Sequence, residues 1–201
     1  MKQNMRKRSL LAVLLALCLA MQLCVPAAMA SGQLMRAGSA AIAQIEEEEG
    51  FRAEKYSSGG KWYIGYGTEC SAEDYPEGIT REEAELLLMS KVEAYEAKLN
   101  DFFTRYNVTP TQGQFDALIC FSYNFGTGWM SGTSDLVKIA RGEKTATRLE
   151  VAHAFGEWCH SGGQALSGLA DRRLQEAAIY LDDSTRAAED EFAYLIINME
   201  N

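Results

Sequence analysis

The sequence predicts an α+β fold that is mostly helical and contains one small β-hairpin or sheet. A single short run of β-forming residues, 62–64, lies between glycine pairs, as expected of a hairpin or small sheet. The segments after residue 80 show helical capping signals and helical periodicity instead. About 170 residues follow the N-terminal segment described below, which suits one domain with a full hydrophobic core.

The first 30 residues have the pattern of a cleavable secretory signal. Four basic residues precede an apolar run over 10–23, and Ala28-Met29-Ala30 supplies a small-residue cleavage site. Cleavage after Ala30 would release the chain into the cell envelope or the medium, without stable membrane insertion. Two alternatives stay open, namely lipidation at Cys24 and an uncleaved or slowly released membrane anchor.

The charge balance argues against one class of partner. The chain has 28 acidic and 19 basic residues, which gives a formal net charge of −9 at pH 7. Removal of the signal takes away basic residues only, so the remaining chain is more acidic still. Because nucleic-acid phosphates require basic patches, we predict no nucleic-acid binding. The same charge provides no electrostatic steering toward an anionic cell wall.

The helix that precedes Gly50 is the element around which the rest is organised. Alanines and isoleucines over 40–45 favour a helix, and Gly50 can adopt the left-handed conformation that ends one. Glu49 is therefore a last-turn residue that faces the glycine-rich run. At the negative end of the helix dipole its proton is held more tightly than in water, as a general acid requires. The other three acids of the run 46–49 are expected to be solvent-exposed.

Five further helices are predicted along the chain. Thr80 begins a long helix with a capping box to Glu83, and the Asn-Val-Thr-Pro run at 107–110 ends it. Thr111 caps the next helix, whose wide apolar face suits the core of the helical part. Three shorter helices follow at about 134–141, 147–158 and 170–181. The tail over 183–201 either packs back as an extra element or stays loose.

Three cysteines remain after signal cleavage, and an exported protein is expected to hold one disulfide and one buried thiol. Cys120 is the natural buried thiol because it lies within the apolar helix, which leaves Cys70 and Cys159 as the expected pair. The two histidines, His153 and His160, have no further metal ligands nearby in the sequence. We therefore expect neither a metal site nor a cofactor.

Four short motifs occur in order along the chain. They are Glu49-Gly50-x-Arg52 with Tyr56 and Ile64-Gly65-Tyr66-Gly67-Thr68, then Gln114-Phe115-Asp116-Ala117-Leu118, then Asn124-Phe125-Gly126, and finally Gly168-Leu169-Ala170-Asp171-Arg172-Arg173. Together they resemble the bacteriophage-type lysozyme or endolysin family, glycoside hydrolase family 24. The resemblance spans about residues 37–182. It implies a lysozyme-like two-lobed catalytic domain over 31–182, in which a long helix joins a small sheet lobe to a helical lobe, with the glycan groove between them.

The resemblance also implies roles for particular side chains. Glu49 would be the general acid of a glycosidase, and Arg172 would approach it from the last helix and hydrogen-bond its carboxyl group. Tyr66 and Asn124 would bind substrate, although Asn124 alternatively only caps the end of its helix. Arg173, in contrast, is expected to be a solvent-exposed arginine on an amphipathic helix.

At two positions the chain departs from the pattern of the family. Ser58 stands where the resemblance implies the second catalytic carboxylate, and Tyr63 stands where it implies a water-positioning threonine. Their hydroxyls could hold a water molecule, but neither is a base at neutral pH, since a tyrosine has a pKa of about 10. A carboxylate elsewhere would have to help, and the candidates nearby in sequence are Glu48, Glu54, Glu69 and Asp74.

The resemblance therefore implies a secreted muramidase. It would cleave the β-1,4 bond between N-acetylmuramic acid and N-acetylglucosamine in the glycan strands of peptidoglycan, acting as a monomer. Hydrolysis of a glycosidic bond needs an acid for the leaving oxygen and a group that delivers water. The alternative is a catalytically impaired peptidoglycan-binding protein that keeps the fold and the groove.

Overall fold

The computed structural model of the protein describes residues 34–161 and 164–182. The elements described below belong to the unit that begins at Met35. The predicted signal peptide over 1–30 and the tail over 183–201 lie outside the described residues, and both stay predictions. In the described part of the chain, none of the helices combines the length and the apolar character that crossing a membrane requires.

The first helix, α1, ends where the sequence predicts. It spans Ser39–Glu49, and the amide of Gly50 donates a hydrogen bond to the carbonyl of Glu46 at 3.1 Å. Gly50 has a φ of 64°, which a residue with a side chain rarely adopts. Ala41 and Ile45 are buried against the core, and Glu49 follows on the same side of the helix one turn further on.

A three-stranded antiparallel sheet follows α1 and forms the small lobe. Its strands β1, β2 and β3 span Arg52–Ser58, Lys61–Gly65 and Thr68–Cys70, in the order β1-β2-β3. Gly59 and Gly60 join the first two strands with φ values of 58° and 79°, the positive values that a tight two-residue hairpin turn requires. This turn places Ser58 opposite Lys61 and so fixes the register of the hairpin.

A long helix, α2, joins the small lobe to the helical lobe, as predicted. It spans Arg81–Tyr106 and begins with the predicted capping box between Thr80 and Glu83. It ends at Asn107, whose backbone is left-handed with a φ of 54°. With 26 residues the helix is about 39 Å long, enough to pass along the whole domain.

The helical lobe is built around α3, which begins at the predicted cap Thr111. All nine residues from Phe115 to Tyr123 are buried, so this helix is covered on every side, beyond the one apolar face that the sequence predicts. It packs against α1, α2 and the last helix. The other elements are a 3₁₀ turn at Gly128–Ser131, α4 at Asp135–Ala140, α5 at Arg148–Gly156, the short strands β4 and β5 at His160–Ser161 and Gln164–Ala165, and α6 at Ser167–Tyr180.

The expected disulfide is absent from the structure. Cys70, Cys120 and Cys159 are all free thiols. Cys70 lies on the last strand of the sheet lobe, whereas Cys159 lies after α5 in the helical lobe beside His160, so the fold does not pair them. The prediction for Cys120 is confirmed, since its thiol is buried in α3 and burial raises its pKa.

Candidate active site

Arg172 on α6 makes the predicted contact with Glu49. Its Nη1 donates a hydrogen bond to Glu49 Oε1 at 2.7 Å. Its Nε lies 2.9 Å from Glu48 Oε2, and its Nη2 donates to the Glu48 carbonyl at 3.3 Å. Charge-assisted contacts from several edges of one planar guanidinium fix the geometry of both acids. The prediction of this contact is confirmed, whereas the catalytic role of Glu49 stays a prediction.

Glu48 is not the solvated acid that the sequence predicts. Only 11% of its side chain is exposed, because α6 covers it. Burial raises the pKa of Glu48, while the hydrogen bond from Gln44 and the charge of Arg172 act in the opposite direction. Glu48 therefore helps to hold the guanidinium that contacts Glu49.

The other side of the Glu49 carboxyl group faces a glycine, as the sequence predicts. A Cβ atom at Gly67 would lie 3.2 Å from Glu49 Oε2, and Gly67 has a φ of 74°. The turn between β2 and β3 can approach the carboxyl group closely only because this residue has no side chain. Glu49 thus lies between the guanidinium of α6 and the backbone of the sheet lobe.

A row of side chains on one face of the sheet extends the site. Tyr56 is opposite Tyr63, and Tyr63 is opposite Glu69, so the three side chains share a face. Burial raises the pKa of Tyr56, and the charge of Glu49 contributes in the same direction. Tyr56 is therefore within electrostatic range of the carboxyl group of Glu49. Ser58 belongs to this face too, since it lies two residues beyond Tyr56 on β1.

Lys91 and Tyr123 complete the surroundings of the Gly67 turn. The Lys91 ammonium group donates to the Gly67 carbonyl at 3.3 Å and lies 3.8 Å from the centre of the Tyr123 ring. Burial lowers the pKa of Lys91, and the charges of Glu49 and Glu69 oppose that shift. Sequence analysis missed Lys91. It could have been identified as a lysine within the apolar stripe of the long helix.

Tyr66 does not have the position that substrate binding would require. Only 1% of it is exposed, so its side chain cannot contact a glycan. Its hydroxyl group accepts a hydrogen bond from Arg81 Nη1 at 2.7 Å, and its carbonyl accepts one from the Tyr123 hydroxyl group at 2.7 Å. The expectation for Tyr66 is wrong because Gly65 and Gly67, both with positive φ, turn this residue into the core.

Asn124 does not cap its helix. The end of α3 is closed by the amide of Gly126, which donates to the Ser122 carbonyl at 2.8 Å. Asn124 is exposed, and its Oδ1 accepts a hydrogen bond from Arg173 Nη2 at 3.1 Å. Of the two alternatives, contact with substrate therefore stays a prediction.

Arg173 is buried, and the expectation that it is exposed is wrong. Its side chain is 0% exposed, lies 4.6 Å from the centre of the Phe121 ring and donates to Glu176 Oε1 at 2.8 Å. The prediction fails because α6 packs against both α3 and α5, so two sides of α6 are covered. Burial lowers the pKa of Arg173 and raises that of Glu176.

The described residues contain no group of three or more His, Cys, Asp or Glu side chains that could hold a metal ion. What the site does contain is one positioned carboxyl group, a guanidinium that holds it, and a sheet face with hydroxyl groups and a carboxylate. Such an arrangement can deliver a proton to a leaving group and hold a water molecule.

Comparison with known proteins gives a consistent result. Residues 46–176 match the family model described as phage lysozyme. The endolysin of Bacillus phage PZA is 34% identical over 149 residues, which cover 73% of this chain and 55% of that protein. The chain spans a little over half the length of the curated Bacillus phage relatives that it matches.

Two solved structures are similar to this fold. The endolysin from Escherichia coli O157:H7 phage FAHEc1 has a TM-score of 0.63 and 32% identity, with 76% of this chain and 97% of that chain covered. The muramidase domain of SpmX from Asticaccaulis excentricus has a TM-score of 0.58 and 29% identity, with 73% and 97% covered. The predicted lysozyme-like fold is confirmed.

Proposed function

Because the chain belongs to the phage lysozyme family, we propose that it hydrolyses the glycan strands of peptidoglycan, with Glu49 as the general acid. The observation that carries this proposal is the position of Glu49, which ends α1 between Arg172 and Gly67. About a fifth of its side chain, 21%, is exposed, so the carboxyl group is both held by the protein and open to a substrate. The endolysin and muramidase relatives support the same reaction class.

The two oxygens of the Glu49 carboxyl group have different surroundings, which suggests how the acid acts. Oε1 accepts the hydrogen bond from Arg172, whereas Oε2 lies beside Gly67. Oε2 is therefore the atom that would carry the proton and transfer it to the glycosidic oxygen. As that bond breaks, the oxocarbenium-like sugar is attacked by water from the opposite face.

The finer points of the proposal come from the sequence. The bond cleaved would be the β-1,4 bond between N-acetylmuramic acid and N-acetylglucosamine, and the protein would act as a monomer. The segment 1–30 would direct export and then be removed, which places the enzyme where peptidoglycan is. The proposal gives no part to a metal or other cofactor, since glycoside hydrolysis of this kind uses carboxyl groups and water.

The test compares purified wild-type protein with Glu49→Gln on isolated peptidoglycan. The wild type is expected to reduce turbidity and to release new reducing ends at N-acetylmuramic acid, which mass spectrometry of the products identifies. Glu49→Gln should lose about a hundredfold or more of this activity, because general acid catalysis contributes at least that much. Glu47→Gln is the matched control, since Glu47 is an exposed acid of the same helix.

A second candidate function is that of a peptidoglycan-binding protein that has lost hydrolysis. One observation favours it: Ser58 offers no carboxylate at the exposed end of the hairpin. Sedimentation with insoluble peptidoglycan separates the two functions. Binding without release of reducing ends in the wild type would support the second function and exclude the first.

A further inference from the structure

We propose that Glu69 on β3 is the second catalytic carboxylate of this enzyme, the general base that accepts a proton from the attacking water. The inference deepens the proposed function and rests on it. Neither Ser58 nor Tyr63 can act as a base at neutral pH. Hydrolysis with Glu49 alone would therefore lack a group that activates water. Among the residues that the strand pairing places on the sheet face described above, Glu69 is the one with a carboxylate.

Of the four nearby acids, Glu69 has the most direct placement beside Tyr63. Glu48 is held inward by Arg172 at 2.9 Å. Glu54 lies in the irregular segment of β1 between Arg52 and Tyr56, where the pairing with β2 shifts register. Asp74 Oδ2 accepts a hydrogen bond from the Ser71 amide at 2.8 Å within the loop that follows the sheet.

Glu69 shares its face of the sheet with the candidate water-holding residue. It is directly opposite Tyr63 in the register of β2 and β3, and Tyr63 is directly opposite Tyr56. Side chains of directly opposed residues lie on the same face of a sheet, and their Cβ atoms are about 5 Å apart. A water molecule held by the Tyr63 hydroxyl group would therefore lie within reach of a carboxylate from the neighbouring strand.

Glu69 also follows closely on the residue that lies beside Glu49. Gly67 lies next to the Glu49 carboxyl group and is two residues before Glu69. The Cα atoms of Gly67 and Glu69 are therefore at most about 7 Å apart. Lys91 lies within electrostatic range of both Glu49 and Glu69. Glycosidases that use one carboxyl group as acid and another as base for water place them roughly 6.5–9.5 Å apart.

Glu69 has an ion-pair partner on the same face of the sheet. Lys61 Nζ lies 2.8 Å from Glu69 Oε2, and this hydrogen bond raises the pKa of Lys61. Both side chains are more than half exposed, at 57% and 56%. An exposed pair of this kind contributes little to stability, so a structural role alone would leave activity almost unchanged when Glu69 is replaced.

In the proposed step, Glu69 takes a proton from water while the water oxygen forms a bond to C1 of the sugar. The bond between C1 and the glycosidic oxygen breaks, and its electron pair stays with the leaving oxygen. Glu49 supplies the proton that this oxygen takes up. Water is the sole co-reactant, and the step ends with Glu69 protonated and Glu49 ionised, after which solvent restores both groups.

The experiment measures the release of reducing ends from peptidoglycan by the full chain and its variants. Glu69→Gln is expected to lower kcat by about a hundredfold or more. Its melting temperature should equal that of the wild type. Glu73→Gln, which removes an exposed acid from the adjacent loop, is expected to leave activity unchanged. In Glu69→Ala, added sodium formate should restore part of the activity by supplying a carboxylate, whereas sodium chloride at equal ionic strength should not.

The outcomes separate this inference from the proposed function. If the wild type hydrolyses peptidoglycan and Glu69→Gln is as active as Glu73→Gln, Glu69 is not the base, and the proposed function stands. A loss in Glu69→Ala that formate does not restore better than chloride also overturns the role as base. If the wild type releases no reducing ends, both the proposed function and this role are overturned.

Discussion

The helical side of the candidate site holds its charges in buried contacts, whereas the sheet side presents hydroxyl groups and an exposed ion pair. On the helical side, Arg172 contacts two acids and is 15% exposed. On the sheet side, Ser58 is exposed, and Glu69 is paired only with the exposed Lys61. The difference teaches that the contacts that hold Glu49 belong to the packed interior, whereas the exposed side chains of the sheet side can be substituted at little cost in stability.

The largest effect on stability is expected for Arg173→Ala. This change removes a side chain that is 0% exposed and leaves the buried carboxyl group of Glu176 without its hydrogen-bond donor, so it should lower the free energy of unfolding by about 3–5 kcal/mol. Chemical denaturation followed by circular dichroism measures the change. Arg105→Ala is the control, because Arg105 is 69% exposed and makes only a surface pair. Equal stability of the two variants would show that the helical side is not held by its buried pair.

Arg172→Ala should mainly affect catalysis. Loss of the guanidinium frees the Glu49 carboxyl group, and misplacement of a catalytic group by about 1 Å costs roughly a hundredfold in rate. Arg172→Lys should not restore the activity, because one ammonium group cannot replace contacts from several edges of a planar fork. Turnover on peptidoglycan and the melting temperature are measured together. A variant that loses stability as much as Arg173→Ala but keeps its turnover would reverse the assigned roles.

Gly67→Ala tests the contact between the sheet lobe and Glu49. The added Cβ atom would lie 3.2 Å from Glu49 Oε2, and the alanine would have to adopt a φ of 74°. We expect the contact to lower kcat/KM about tenfold. The backbone strain should in addition lower the free energy of unfolding by about 1 kcal/mol. Gly60→Ala is the matched control, because Gly60 also has a positive φ and its Cβ atom would meet nothing within 4 Å. If both variants lose activity equally, the effect belongs to strain in the sheet.

Glu176→Gln tests the buried pair through the pH dependence of stability. Burial raises the pKa of Glu176 above its usual 4.5, so above that pH the folded state keeps a proton that the unfolded state has lost. The free energy of unfolding should therefore fall as the pH rises from 4.5 toward the raised value, by at most about 1.4 kcal/mol per pH unit. Denaturation at several pH values should show this slope in the wild type and in the surface control Glu47→Gln, and a smaller slope in Glu176→Gln.

Ser58→Asp should have the smallest effect. It returns a carboxylate to the position of the family pattern, but Glu69 already provides one on the same face, so we expect less than about a tenfold gain in turnover. Ser57→Asp is the control, since Ser57 is opposite Trp62 on the other face of the sheet. A gain of a hundredfold for Ser58→Asp would show that the sheet side of the wild type lacks a working base.

The features that follow from local chemistry could be predicted from the sequence. The end of α1 at Gly50 and the start of α2 at Thr80 depend on one glycine and one capping box, and both are where the sequence predicts them. The contact between Arg172 and Glu49 follows from the resemblance to the family, because it joins residues 123 positions apart.

The features that depend on packing between elements could not be predicted in this way. Whether Arg172 or Arg173 is buried depends on which sides of α6 are covered by α3 and α5, and sequence periodicity does not give that orientation. Tyr66 is turned inward because the glycines on either side of it have positive φ values and because the Tyr123 hydroxyl group donates a hydrogen bond to its carbonyl. The predicted pairing of Cys70 with Cys159 is wrong as well, since both are free thiols on different elements of the fold.

Arg172 reaches Glu49 from a helix that is synthesised 123 residues after the acid. A nascent chain that has folded only α1 and the sheet has the acid but nothing to hold it. Hydrolytic competence should therefore begin only after synthesis has passed α6, and any fragment that stops before residue 172 should be inert toward cell walls. The order of translation thus assembles the candidate site only when α6 has been made.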